Sequence, residues 1–144
     1  MEKIAFNNGW YFKTEKKEIK DLTLPHDAQL LDGRRADSAG GSGHGYFIGN
    51  VYEYEKSFDA PSEWADKHIE ILFAGVYRNC EVWLNDTKLG EHRYGYTEFA
   101  FSLDEAIVIG GQNTIRVKVD NSKLPNSRWY SGGGIYRPVY LLIG

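Results

Sequence analysis

Ile115-Arg116-Val117-Lys118-Val119-Asp120 alternates apolar and polar side chains without a break. Successive side chains of an extended strand point to opposite faces, so this period of two describes a half-buried strand with one face on a core. Two other stretches carry the same pattern. Ile69, Ile71 and Phe73 alternate with His68, Glu70 and Leu72, and Cys80, Val82 and Leu84 alternate with Glu81, Trp83 and Asn85. Phe6–Phe12, Val51–Phe58, Glu98–Phe101 and Ile135–Ile143 read as further strands. Asn85-Asp86 and Gly110-Gly111 mark turns, and Gly75 interrupts the run between two strands. Only Leu103–Ile109 has the makings of a helical turn, with Asp104 near its start. Many short strands and no βαβ rhythm predict an all-β, mostly antiparallel β-sandwich or barrel, between which periodicity does not decide, and the long unequal loops favour a sandwich of jelly-roll type.

Bulk properties agree with one soluble globular domain spanning residues 1–144. A chain of that length buries roughly two-thirds of its unfolded surface. The net charge of -3 leaves no electrostatic footprint for nucleic acid. No run approaches the roughly 20 apolar residues of a membrane span. The N-terminus lacks the apolar segment of a signal peptide, so a cytoplasmic location is expected. A single cysteine, Cys80, excludes an internal disulfide and any zinc site built from several thiolates. Its place in an alternating run predicts a buried, inert thiol.

Catalytic constellations are hard to find. The histidines, His26, His44, His68 and His92, have no partner four residues away and no adjacent ligand cluster, so no metal or cofactor is expected. No Gly-x-Ser-x-Gly elbow is present. Nothing singles out a pair of carboxylates for glycoside cleavage, since Asp27, Asp37, Asp86 and Asp120 fall at strand ends or turns, where Asp bonds its own backbone.

The positive candidates are aromatic. Aromatic residues make up 15% of the chain, ten of them Tyr, and most are expected in strand packing. Trp129 and Tyr130 stand apart, in a segment of poor strand character with Asn126, Arg128 and Gly132-Gly133-Gly134. Flat side chains could stack on the apolar face of a pyranose while Arg128 or Asn126 bonds its hydroxyls, which is how ligand sites mix apolar walls with a few polar groups. The competing reading has Trp129 plugging the end of the sandwich and Tyr130 lying on another domain. His92-Arg93-Tyr94-Gly95-Tyr96 has the same composition and the same two readings. A third segment, Gly33–Gly49, holds six glycines with Arg34, Arg35 and His44 among them. A connection that long is functional or mobile, and its spacing does not make a phosphate loop.

An ordered set of motifs resembles the N-terminal sugar-binding domain of family-2 glycoside hydrolases, the β-galactosidase and β-glucuronidase group. Leu24-Pro25-His26-Asp27 resembles the early "LPHD" signature, and Tyr52–Phe58 the strand that follows it. Phe73-Ala74-Gly75-Val76 and Val82-Trp83-Leu84-Asn85 resemble the "F-x-G-V … V-x-L-N-G" segment. Leu89–His92, Tyr94-Gly95-Tyr96 and Phe99 resemble the "G-x-H-x-G-G-Y-x-P-F" loop. Asn113-Thr114-Ile115, Val119-Asp120-Asn121 and Arg128-Trp129-Tyr130 through Gly134-Ile135-Tyr136-Arg137 complete the pattern, which spans nearly the whole chain.

The resemblance implies a galactose-binding-like jelly roll. It also implies an immunoglobulin-like domain and a catalytic TIM barrel as partners, the barrel alone taking about 250 residues. A 144-residue chain is therefore expected to hold no catalytic residues of its own. Departures are Ala28 for the usual Trp, Asp86 for the Gly of "L-N-G" and Glu98 for the Pro before Phe99. Where some β-galactosidases send an acidic side chain toward the sugar, this chain has Asn126, Ser127 and Arg128, which leaves Arg128 or Trp129 to substitute. Three readings stay open here: a domain that shapes the sugar pocket of a β-galactosidase-like enzyme, a freestanding carbohydrate-binding module, and a structural or homo-oligomerisation domain.

Overall fold

The computed structural model describes residues 2–14, 18–25, 51–77, 79–93, 98–120, 134–135 and 137–144. In chain order the strands are β1 (Glu2–Ala5), β2 (Trp10–Lys13), β3 (Glu18–Leu22), β4 (Val51–Asp59), β5 (Ile69–Phe73) and β6 (Val76–Tyr77). They continue with β7 (Asn79–Leu84), β8 (Thr87–His92), β9 (Phe99–Ser102), β10 (Gln112–Asp120), β11 (Gly134–Ile135) and β12 (Val139–Ile143). The only helical element among the described residues is a 3₁₀ turn at Ser62–Trp64.

Two antiparallel sheets face each other. One has the order β1-β12-β5-β9, the other β3-β2-β4-β10-β7-β8. The strands β1, β4, β5, β7, β8, β9, β10 and β12 alternate between sheets as a jelly roll does. The first, third, sixth and eighth form one sheet, and the rest form the other. Strands β2 and β3 widen the second sheet beside β4, and β6 with β11 forms a short ribbon.

The inward rows follow the alternation. Ile115, Val117 and Val119 of β10 are buried, as are Cys80, Val82 and Leu84 of β7 and Ile69, Ile71 and Phe73 of β5. Trp10, Phe12, Tyr52 and Tyr54 thicken the core, with ring pairs such as Phe12–Tyr54 at 5.0 Å. Their polar tips find partners where they can: the Trp10 indole N–H donates to the Phe6 carbonyl at 2.8 Å. The Tyr54 hydroxyl accepts from the Ile135 N–H at 3.2 Å.

Asn113, the buried polar residue among the described residues, closes the far end of the sandwich. Its amide accepts from the Val108 N–H at 2.7 Å and donates to the Val108 carbonyl at 3.0 Å. The Asn85 side chain donates to it at 2.8 Å and accepts from the Thr114 N–H at 2.8 Å.

Local irregularities split two expected strands. Phe6–Phe12 is not continuous: Gly9 takes a positive φ of 73°, and the Asn7 side chain turns aside to accept from the Val139 N–H at 2.8 Å. Ile135–Ile143 breaks before Val139, where Pro138 has no N–H to give a ladder. Leu103–Ile109 makes one turn, with the Ala106 and Ile107 N–H groups both on the Leu103 carbonyl. Asp86, in the place of a family glycine, adopts φ 80° beside Asn85 at 51°, so it takes the left-handed conformation that Asp tolerates better than most residues.

Candidate functional site

Strand register brings described residues that flank the three candidate segments to one end of the six-stranded sheet. Residues 26–50 rejoin the described chain at Val51, residues 121–133 leave it after Asp120, and residues 94–97 leave it after Arg93. Val51 pairs with Asp120, Asp120 pairs with Asn79, and the adjacent Cys80 pairs with His92. Segments far apart in sequence are therefore rooted side by side. Of the sequence-selected residues, His92 and Arg93 are described. Arg34, Arg35, His44, Tyr94, Tyr96, Asn126, Arg128, Trp129 and Tyr130 lie outside the described residues.

His92 and Arg93 separate to different surroundings. The His92 ring stacks on Phe99 with centroids 4.0 Å apart and planes 8° apart, and Phe99 stacks in turn on Phe73 at 5.2 Å. This three-ring stack ties β8 to β9 across both sheets and pins both flanks of residues 94–97. Burial holds the His92 imidazole below its ordinary value, and its Nδ1 is a buried atom without a hydrogen-bond partner among the described residues. Arg93 is exposed and sits on the outer side with Glu91, 3.5 Å from its carboxylate.

Arg93 also lines a cleft of about 210 Å³ at this end of the sheet. Asn79, Glu81, Glu91, Lys118 and Asp120 complete its polar wall. Glu81 is held by Lys88 at 3.0 Å, and the same ammonium reaches Glu91 at 3.5 Å. Fixed carboxylates, an ammonium and a guanidinium give both donors and acceptors, the set that recognises neighbouring hydroxyls. Cys80 lies at the cleft, but burial pushes its thiol up to about 12, so it stays protonated near neutrality. Among the described residues, no three His, Cys, Asp or Glu side chains group so as to hold a metal ion.

Sequence reasoning misses Asn79, Glu81, Glu91 and Lys118, and treats Asp120 as a strand-end residue. Their signal is available only in part. Each occupies an outward position of an alternating strand next to a candidate segment, but nothing in one strand says which neighbours it will have.

Comparison with known proteins supplies a family for this arrangement. Residues 47–143 match the family described as "Glycosyl hydrolases family 2, sugar binding domain". A β-galactosidase of Bacteroides ovatus is 42% identical over 97% of the chain and 18% of its own length. A β-glucuronidase of Bacteroides fragilis is 32% identical over 97% of the chain and 20% of its own length. The crystal structure of a β-glycosidase from Bacteroides vulgatus superposes with a TM-score of 0.78 at 37% identity, covering 99% of this chain and 20% of that one. The chain thus spans about a fifth of the length of these relatives.

Proposed function

The chain belongs to the sugar-binding domain family of the family-2 glycosyl hydrolases, and from that membership we propose that it is the non-catalytic, sugar-positioning domain of a larger β-galactosidase-like hydrolase. In this reading a separate barrel cleaves the O-glycosidic bond, and this domain forms one wall of the pocket. The observation that carries it is that the described flanks of the three candidate segments meet at Val51, Asp120–Asn79 and Cys80–His92, beside a cleft lined by carboxylate, amide, ammonium and guanidinium groups. Segments rooted together can present their side chains to one ligand. Trp129 and Tyr130 supply flat faces for a pyranose ring, and Arg128 and Asn126 supply hydrogen bonds.

Positioning matters to rate because a reacting atom misplaced by about 1 Å can cost on the order of a hundredfold. In the complete enzyme, Trp129→Ala is expected to lower kcat/KM on an aryl β-galactoside by about 10- to 100-fold while the protein still folds. The 144-residue chain alone is expected to show no turnover. Turnover by the isolated chain, or full activity of Trp129→Ala, would overturn the proposal. Micromolar binding of galactose by the isolated chain would favour a freestanding binding module instead.

A further inference from the structure

The two sheets present different outer faces. Outward residues of the six-stranded sheet form cross-strand rows rich in charge, with Tyr11 and Trp83 as their half-buried aromatic members. One row runs Lys13, Glu53, Lys118, Glu81, Glu91, and the next runs Tyr11, Glu55, Arg116, Trp83, Lys88. The four-stranded sheet carries a row without charge. Ala5 pairs with Tyr140, Tyr140 with Leu72, and Leu72 with Ala100, so four uncharged residues cross all of its strands. The two large side chains sit on the central strands and are half-buried, while the alanines at the edges are exposed. Lys3 reaches over the Tyr140 ring at 4.3 Å.

An antiparallel sheet with one solvated face normally alternates apolar-in and polar-out. Leu72 and Tyr140 break that rule on adjacent strands. The row also has a telling position: it lies one residue from Phe73, Phe99 and Val139, at the end of the sandwich where Phe99 meets His92. Toward the opposite end the same face turns mixed, with Lys3, Leu142, Glu70 and Ser102 in register. Apolar surface thus gathers at the end that roots the candidate segments.

We propose that the row Ala5–Tyr140–Leu72–Ala100 is the surface on which another domain of the same polypeptide seats. This rests on the reading of the chain as part of a larger hydrolase, and deepens it by naming the face that docks. The occupant follows from length and position. About four-fifths of each relative lies beyond the matched part, and a domain seated on this row also meets the segment-bearing end. Small edge residues flanking two large central ones leave a low ridge that a complementary apolar surface can cover, as inter-domain interfaces do.

The test compares Leu72→Glu and the milder Leu72→Ser with Arg116→Glu, on the opposite face, in the complete polypeptide and in the 144-residue chain. Limited proteolysis between domains reads docking, because cleavage tracks the open population when opening is fast. Both Leu72 variants are expected to raise cleavage of the complete polypeptide, Leu72→Glu by about tenfold. Arg116→Glu should leave it unchanged, and all three isolated chains should keep cooperative unfolding. Unchanged cleavage in both Leu72 variants overturns the proposal. So does a dimer of the isolated chain that Leu72→Glu makes monomeric, since the occupant would then be a second copy. The two proposals fail separately. If Leu72 variants leave cleavage unchanged while Trp129→Ala lowers activity, docking falls and sugar positioning stands; raised cleavage with full Trp129→Ala activity leaves docking standing alone.

Discussion

The outer faces of the two sheets are built on the same backbone geometry and the same alternation, yet they differ in what they ask of their surroundings. On β4, β10 and β7 one outward row alternates in charge, Glu53–Lys118–Glu81, and the next pairs Glu55 with Arg116 beside Trp83. On β12 and β5 the corresponding positions hold Tyr140 and Leu72. Both sheets share one core, so burial inside the sandwich cannot explain the difference. Period-two patterning says which side chains point in. The chemistry of those pointing out bears on whether a face suits water or protein, and here the two faces differ in it.

The charged rows exist in one register only, and the Asn113–Asn85 pair ties the start of β10 to the end of β7 in that register. Asn113→Leu is therefore expected to break the comparison most strongly. It keeps the size of the side chain but removes the partners of the Val108 N–H and carbonyl and one of the two acceptors of the Asn85 amide, which keeps the Ala106 carbonyl. Leaving buried groups unsatisfied costs about 1–3 kcal/mol each, and because these groups are part-buried the expected loss is about 1–2 kcal/mol in denaturant unfolding. A loss below about 0.5 kcal/mol would mean that water replaces the amide without penalty.

The charged face itself should prove much softer. Arg116 stacks over Trp83 at 4.3 Å, and Lys88 approaches the same ring from 5.9 Å. Arg116→Ala is expected to cost about 0.5–1 kcal/mol, the worth of a cation–π contact at a partly exposed site. The part that comes from its carboxylate neighbours should shrink in high salt, because exposed charges are screened. Leu72→Ser in the isolated chain should cost under about 1 kcal/mol and show no salt dependence, since only half-buried apolar area is lost. Equal salt sensitivity of the two variants would erase the distinction between the faces.

Much of this fold was legible in the sequence because β5, β7 and β10 are interior strands with one wet face, where alternation is clean. The edges were not. Strand β3, Glu18-Ile19-Lys20-Asp21-Leu22, is charged in the way edge strands are when they resist pairing, and charge hides the pattern. Strand β8 hides for another reason, because Gly90 interrupts its pattern. The structure shows why glycine stands there: a Cβ would come within 2.5 Å of the Phe101 ring. Motif asparagines were legible as a family signature but not as what they do, which is to staple turns at the end away from the candidate segments. The cleft was the least legible part. Asn79, Glu91 and Lys118 meet only through strand pairing across long sequence separation, and adjacent His92 and Arg93 part company, one stacked on Phe99 and one beside Glu91.

The smallest expected effect lies at the far end of the docking face, where the row gives way to polar residues. His68 bonds Glu70 through Nε2 at 2.8 Å and Asp104 through Nδ1. The bond to Glu70, then that to Asp104, raises the imidazole above its ordinary value. A raised folded-state pKa adds stability that is fully present below the unfolded value of about 6.5 and is lost as pH rises through the folded value. Wild type should therefore melt above His68→Gln by the widest margin at mildly acid pH, with the two curves converging as pH rises past that upper value. Because the imidazole is solvent-exposed, salt should narrow the margin at every pH. A margin constant from acid to alkaline pH would show that His68 acts by packing, and the polar end of this face would then owe nothing to charge.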